Sequence, residues 1–138
     1  MGVVELAGCL IEDREEKYLL IHRNFQDIQQ WEIPGGKVHA GETAEQAAIR
    51  EVNEELAVAV VPLELLTLNE FDENDIQYQY SVFLCNAAGS SFQINEPEKF
   101  DSFQFFSIKE MQQIRSNLSV NAGLMVDFFL KTKHENTI

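Results

Sequence analysis

Glu51, Glu54 and Glu55 crowd into a stretch whose apolar residues recur with helical period. With Val52 as the reference and 100° per residue, Ala48, Ile49 and Leu56 fall within about 60° of it and form a buried stripe. By the same spacing Glu55, Glu51 and Glu54 fall near roughly −60°, −100° and −160°. The three carboxylates therefore share one side of the helix, and Glu55 and Glu51 border the apolar stripe. A surface helix normally alternates Glu with Lys at i,i+4, and a like-charge pair such as Glu51 and Glu55 costs a few tenths of a kcal/mol. Arg50, four residues before Glu54, is the nearby cation. Partial burial raises that cost unless a cation sits among the carboxylates or a proton is taken up. Hard oxygen donors of this kind suit Mg2+ or Mn2+. On these three residues alone, a solvated acidic helix face is an equally valid reading.

The segment before the helix bears on that choice. Thr43-Ala44-Glu45-Gln46 is a capping-box pattern, which predicts a helix starting at Ala44. Ahead of it, Pro34-Gly35-Gly36-Lys37-Val38-His39-Ala40-Gly41-Glu42 is rich in glycine. Glycines let backbone groups approach a ligand closely, and a helix N-terminus favours anions. A tight turn would use the same residues.

The remaining elements must position this helix. Val3 to Ile11 reads as a strand, with Gly8 a bulge or a site of close approach. The charge run of residues 12–17 reads as a hairpin tip leading to a strand from Tyr18 to His22. Trp31-Glu32-Ile33 is a short apolar run that ends at the breaker Pro34-Gly35-Gly36. Val58 to Leu68 is strand-like, and residues 72–75 read as a turn. Ile76 to Cys85 alternates, with Ile76, Tyr78, Tyr80, Val82 and Leu84 on one face. A further turn is expected over residues 87–91, then a short apolar strand from Phe103 to Phe106. Ser107 is placed to cap a short helix running to Ile114. Residues 119–132 suggest a last amphipathic helix, with Leu124, Phe128 and Phe129 as core contacts. This order predicts an α+β fold: a mixed β-sheet sandwiched between helices in an α/β/α arrangement.

Length, charge and cysteine usage narrow the function classes. The 138 residues carry 10 Lys plus Arg against 23 Asp plus Glu, a formal net charge of −13. No repeat or linker divides the chain, so residues 1–138 are expected to form one domain. No run is apolar enough to span a membrane. Cys9 and Cys85 are too few for a disulfide scaffold and read as reduced core thiols, which suits a cytoplasmic protein. The acidity argues against binding a nucleic-acid backbone, and it repels free polyphosphate unless a cation intervenes. His22, His39 and His134 show no metal-ligand spacing.

Taken together, the glycine loop and the acidic helix resemble the Nudix box. The match runs from Gly36 through Glu42 and Arg50-Glu51-Val52-Asn53-Glu54-Glu55 to Leu56-Ala57-Val58. Trp31 to Gly36 is similar to the usual approach to that box. Ala57 stands where the family places a glycine, at a helix end that calls for a left-handed residue. The resemblance implies the Nudix fold and metal-dependent hydrolysis of a nucleoside diphosphate linked to another group X. It implies Glu51, Glu54 and Glu55 as metal ligands, with the Gly36 carbonyl as a fourth and Mg2+ or Mn2+ as the ion. Glu51, Glu54 and Arg50 are the implied catalytic residues within the box. A water-activating acid on a later loop is also implied, with Glu98 favoured, Glu96 next and Asp101 weighed beside them. Arg50 is expected to orient a box carboxylate, and Glu42 to support the site. Arg23, Gly35 and Lys37 are the candidate substrate contacts.

A short chain carrying this box resembles a MutT-type nucleoside triphosphate pyrophosphohydrolase, which releases a nucleoside monophosphate and pyrophosphate. A second reading is an ADP-ribose or nucleotide-sugar pyrophosphatase, although the proline such relatives often carry after the box is missing around position 73. A third is a noncatalytic nucleotide-binding module of the same fold, which would usually have lost box carboxylates that this chain keeps. The expected partner is a small-molecule nucleotide, with neither membrane nor nucleic acid, and the chain acting as a monomer or a homodimer.

Overall fold

A computed structural model of the chain describes residues 2–87 and 91–136. Among the described residues, seven strands and three helices follow one another as β1 (Val4–Ile11), β2 (Tyr18–Phe25), β3 (Ile28–Glu32), β4 (Gly35–Lys37), α1 (Ala44–Leu56), β5 (Val60–Glu73), β6 (Ile76–Ala87), β7 (Phe100–Phe106), α2 (Ile108–Gln113) and α3 (Val120–Asn136). A 3-10 turn, Arg115–Asn117, links the last two helices. The expected helix-flanked mixed sheet is present, but the strands form two sheets. One is mixed, in the order β4-β1-β6-β5, and the other is antiparallel, in the order β3-β2-β7.

Alternation along the central strands explains the layers. Ala7, Cys9 and Ile11 of β1, Leu19 and Ile21 of β2, and Phe83 and Cys85 of β6 pack against Ala47, Ala48, Val52 and Leu56 of α1. Leu10, Leu20, Tyr80 and Val82, on the opposite face, pack with Met111 of α2 and with Ala122, Met125 and Val126 of α3. Strands covered on both faces need apolar residues at consecutive positions, which these strands have. In α3 the buried stripe is Ala122, Met125 and Val126, with Phe128 and Phe129 packed at its margin. Leu124 lies outside that stripe, which corrects the expected core contacts.

Other corrections concern turns. Residues 12–17 do form a turn, with Asp13 Oδ1 accepting the amides of Glu15 and Lys17. The strands it joins enter different sheets and meet only at an isolated Glu12–Tyr18 bridge, so it is not the tip of a hairpin. A hairpin forms instead between β2 and β3. Its tip, Gln26–Asp27, has φ of 49° and 67°. Asn74–Asp75 closes the β5–β6 hairpin in the same way, with φ of 53° and 65°. Positive φ at both residues matches the twist of the flanking strands. Gly35–Lys37, expected as a loop, is a short strand antiparallel to β1. The turn expected over residues 87–91 falls on 88–90, outside the described residues, as does the side chain of His134. Among the described residues, no helix is long and apolar enough to cross a membrane.

The end of α1 behaves as its sequence suggested. Ala57 adopts φ 54°, ψ 40°, and its amide donates to the Asn53 carbonyl at 2.9 Å. A left-handed conformation costs an L-residue about 1–2 kcal/mol that glycine avoids. Ala57→Gly should therefore stabilise the protein by about 1 kcal/mol, or about 3–5 °C in Tm for a chain of this size. Thermal unfolding of the two proteins checks this; an unchanged or lower Tm would contradict it.

Candidate functional site

The site is built where α1 lies over β4. Thr43 Oγ1 accepts the Gln46 amide at 3.1 Å and the Gln46 side chain accepts the Thr43 amide at 2.9 Å, so the first turn of α1 is set by its own residues. On the strand side, Gly35 and Gly36 pair with Gly8 and Ala7. A Cβ on Gly35 would run into the Ala7 carbonyl and lie 2.7 Å from Gly8 Cα. A Cβ on Gly36 would lie 2.5 Å from Glu51 Cδ and 2.6 and 2.8 Å from its carboxylate oxygens. These glycines therefore let strand, strand and carboxylate meet, and Glu51 lies directly on the backbone of Gly36.

Glu55 is only 5% exposed, the one buried charged side chain among the described residues. Its Oε1 accepts the Gly35 amide at 3.0 Å. Burial, with Glu51, Glu96 and Glu32 nearby, pushes its carboxyl well above the usual carboxylate range, and the Gly35 amide only partly opposes this.

Arg50 organises the rest of the helix face. Its Nε and Nη2 hold both oxygens of Glu42 at 2.7 and 3.0 Å. Nη2 also donates to the Lys37 carbonyl at 2.9 Å, while Nη1 reaches Glu51 at 2.9 Å and Glu54 at 3.2 Å. The guanidinium fork suits such bidentate contact. It draws the Glu42 carboxyl down to about 2, helped by the His39 amide that Glu42 also accepts. Glu51 is largely covered, whereas the Glu54 side chain is 48% exposed.

A second group faces the box from β2 and β3. Arg23 forks onto Glu32 at 2.6 and 3.1 Å and lies 4.8 Å over the Phe100 ring. Gln30 Nε2 donates to the same Glu32 at 2.7 Å. Beside this second group opens a cavity of about 250 Å³. Arg23, Glu32, Gly35, Gly36 and Lys37 line it, as do Phe71, Tyr78, Tyr80 and Asn121. Phe71 and Tyr78 stack with centroids 5.1 Å apart. A larger cavity, about 720 Å³, lies around Ile11 to Arg14 and touches no box residue.

The structure separates the later acids. Glu96 is half-buried, pairs with Lys99 at 3.6 Å, and acts electrostatically on both Glu55 and Arg23. Glu98 is exposed. Asp101 is tied to His22 at 2.8 Å and to Asn24 at 3.2 Å, and this holds its carboxyl below the usual range. Sequence reasoning did not single out Glu32, Gln30 or Asn121 as site residues. The pairing of Glu32 with Arg23 follows from the β2–β3 register, which a Gln-Asp tip does not announce.

Among the described residues, no three His, Cys, Asp or Glu side chains converge into one metal-holding group as they stand. Arg50 occupies Glu51 and Glu54, and Glu55 lies apart on Gly35. The donor chemistry nevertheless fits a hard dication: carboxylate oxygens beside the Gly36 backbone, one of them buried without a cationic partner.

Comparison with known proteins agrees with this geometry. The chain is 33% identical over 82 residues to putative nudix hydrolase 1 of Caenorhabditis elegans, covering 59% of this chain and 22% of that protein. It is 43% identical over 83 residues to the 8-oxo-dGTP diphosphatase of Proteus vulgaris, covering 59% of this chain and 74% of that one. The chain matches less than half the length of several other curated relatives. Among solved structures, a MutT NUDIX hydrolase from Burkholderia pseudomallei superposes with a TM-score of 0.80 at 25% identity, over 92% of this chain and 98% of that one. The NUDIX domain model matches residues 5–127, and the chain belongs to that family.

Proposed function

We propose that the chain is a metal-dependent nucleoside triphosphate pyrophosphohydrolase, cleaving a (d)NTP to a nucleoside monophosphate and pyrophosphate. The observation that carries this reading is Glu55, a buried carboxylate with no cation of its own, held by the amide of Gly35, a residue that lines the same cavity as the stacked Phe71–Tyr78 pair. A polyphosphate against Gly35, Gly36 and Lys37 would share its cavity with Phe71 and Tyr78, on which its nucleoside could pack. Relatives named as 8-oxo-dGTP diphosphatases and a CTP pyrophosphohydrolase support the same substrate class.

Glu51, Glu54, Glu55 and the Gly36 carbonyl would hold Mg2+ or Mn2+, which would neutralise phosphate charge and acidify a bound water. Arg50 keeps Glu51 and Glu54 in place, while Glu54, the exposed member, is free to leave it. Arg23, already shared with Glu32, orients a phosphate, and Gly35 and Lys37 form the wall that the phosphates pass. Glu96, rather than the exposed Glu98, is the later acid best placed to take a proton from water. Catalysis of this kind rests on positioning and charge neutralisation.

A phosphate-release screen with Mg2+ or Mn2+ over (d)NTPs, oxidised (d)NTPs, dinucleoside polyphosphates, ADP-ribose and nucleotide sugars tests the reading. Turnover of triphosphates with pyrophosphate as product is expected, and EDTA should abolish it. Preference for ADP-ribose or a sugar nucleotide would overturn it, as would tight binding without turnover. Glu54→Gln should lower kcat/KM by roughly 10²-fold or more. Glu96→Gln should cost more activity than Glu98→Gln; the reverse order would return the role to Glu98.

Glu55 also sets function against stability. Glu55→Gln keeps an acceptor for the Gly35 amide and removes the buried charge, so it should abolish turnover yet raise the stability of the metal-free protein by about 1 kcal/mol or more. Because the folded carboxyl titrates above its unfolded value, the metal-free wild type loses this stability as pH rises out of the ordinary carboxylate range. The gain from Gln should thus be larger at pH 8 than at pH 5. Denaturant unfolding at the two pH values checks it.

A further inference from the structure

Tyr80 presents a buried hydroxyl for which the fold supplies no use. Its residue is 2% exposed, and among the described residues its Oη is the only buried side-chain polar atom without a hydrogen-bond partner. Gly8 makes room for it: a Cβ there would overlap the hydroxyl and lie 3.1 Å from Tyr80 Cζ and 3.2 Å from Ile33 Cγ2. An unpaired buried donor is costly, and phenylalanine would fill the same volume without that cost. Burial and the nearby Glu55 and Glu32 push the hydroxyl up, so it stays protonated and offers a proton to an acceptor. Tyr80 and Ile33 both line the cavity that runs from Gly36 to the Phe71–Tyr78 pair and Asn121.

We propose that the Tyr80 hydroxyl is a specificity-determining donor, meeting a carbonyl oxygen of the substrate's nucleobase as the base enters beside Ile33. This rests on the nucleotide reading above and adds a base preference to it: bases bearing that carbonyl over bases lacking it. A site with a buried donor discriminates most strongly against a ligand that leaves the donor unpaired. The hydroxyl is thus unsatisfied in the free protein and satisfied in the complex.

The experiment compares wild type with Tyr80→Phe on two matched pairs: inosine and purine-riboside 5′-triphosphates, and uridine and pyrimidin-2-one-riboside 5′-triphosphates. Each pair differs by one base carbonyl and the ring N–H beside it, and the Tyr80→Phe comparison isolates the carbonyl's part. Wild type should favour the carbonyl-bearing member of at least one pair by roughly threefold to tenfold in kcat/KM, as for one net hydrogen bond. Tyr80→Phe should erase that preference and leave the carbonyl-free member the less affected of the two. The Tm of the free variant should equal or exceed that of wild type. A preference that survives in Tyr80→Phe overturns the proposal while leaving the nucleotide reading intact. A Tm several degrees lower also overturns it, because the hydroxyl would then serve the free fold. Failure of wild type to cleave any triphosphate removes the nucleotide reading, and this proposal with it.

Discussion

The site depends on one carboxylate held at the edge of the hydrophobic core. Glu55 follows the stripe that buries Ala48, Val52 and Leu56, so packing α1 onto β1 carries Glu55 under cover. The single amide of Gly35 meets it there. A buried carboxylate with so little compensation favours its neutral form, and other negative groups strengthen that preference. A fold selected only for stability would place glutamine or an apolar residue here. The retained acid fits the proposed role of a cation ligand, kept at some expense to the free protein.

The surrounding structure keeps that acid in position and isolates it from its neighbours. Glycine at 35 and 36 brings β4 close to β1 and admits Glu51 onto the Gly36 backbone. The capping box fixes the start of α1, and left-handed Ala57 turns the chain out of the helix into β5. Arg50 bridges the loop and the helix face through Glu42, the Lys37 carbonyl, Glu51 and Glu54. It thereby relieves repulsion among Glu42, Glu51 and Glu54, while Glu55 accepts no hydrogen bond from it. The local strain at Ala57 and the charge at Glu55 sit at one end of one helix.

What could be read from the sequence was what is local. The boundaries of α1, its capping box and the common side of Glu51, Glu54 and Glu55 all follow from residues within one helix. The α2 cap at Ser107 was legible for the same reason. Pairing between distant strands was not. Nothing in residues 12–17 says that the strands on either side enter different sheets, because that depends on β6 and β7, more than sixty residues away. Gly35-Gly36 looks like a break because its strand partner, and the carboxylate that excludes a side chain, are supplied by other elements. The Gln26–Asp27 turn lacks the glycine that usually marks such hairpins, so β3 and the Arg23–Glu32 pair stayed hidden. Asn121 and Tyr80 come to line the cavity only through the packing of α3 and β6. The box was visible, whereas the residues that would choose a substrate were not.

The charge balance within the site reconciles an acidic protein with the anionic substrate proposed for it. Glu32, Glu42, Glu51, Glu54, Glu55 and Glu96 surround it, against Arg23, Arg50 and Lys37. Arg23 is engaged by Glu32, and Arg50 by three glutamates. Neither arginine can neutralise a polyphosphate without releasing a carboxylate that would then repel it. On the proposed reading, the positive charge for the phosphates would arrive with the substrate or before it, as a divalent cation that the same glutamates attract. The net charge of −13 is mostly surface, but its share in this site ties anion binding to metal binding. On the proposed reading that coupling also discriminates: an anion without a chelated cation meets a site in which six glutamates outnumber Arg23, Arg50 and Lys37, while a metal-bound polyphosphate brings the ion those glutamates would hold. On this view Arg23 and Arg50 chiefly keep the carboxylates from repelling one another until the cation comes, and affinity for the phosphates is supplied by the ion they leave room for.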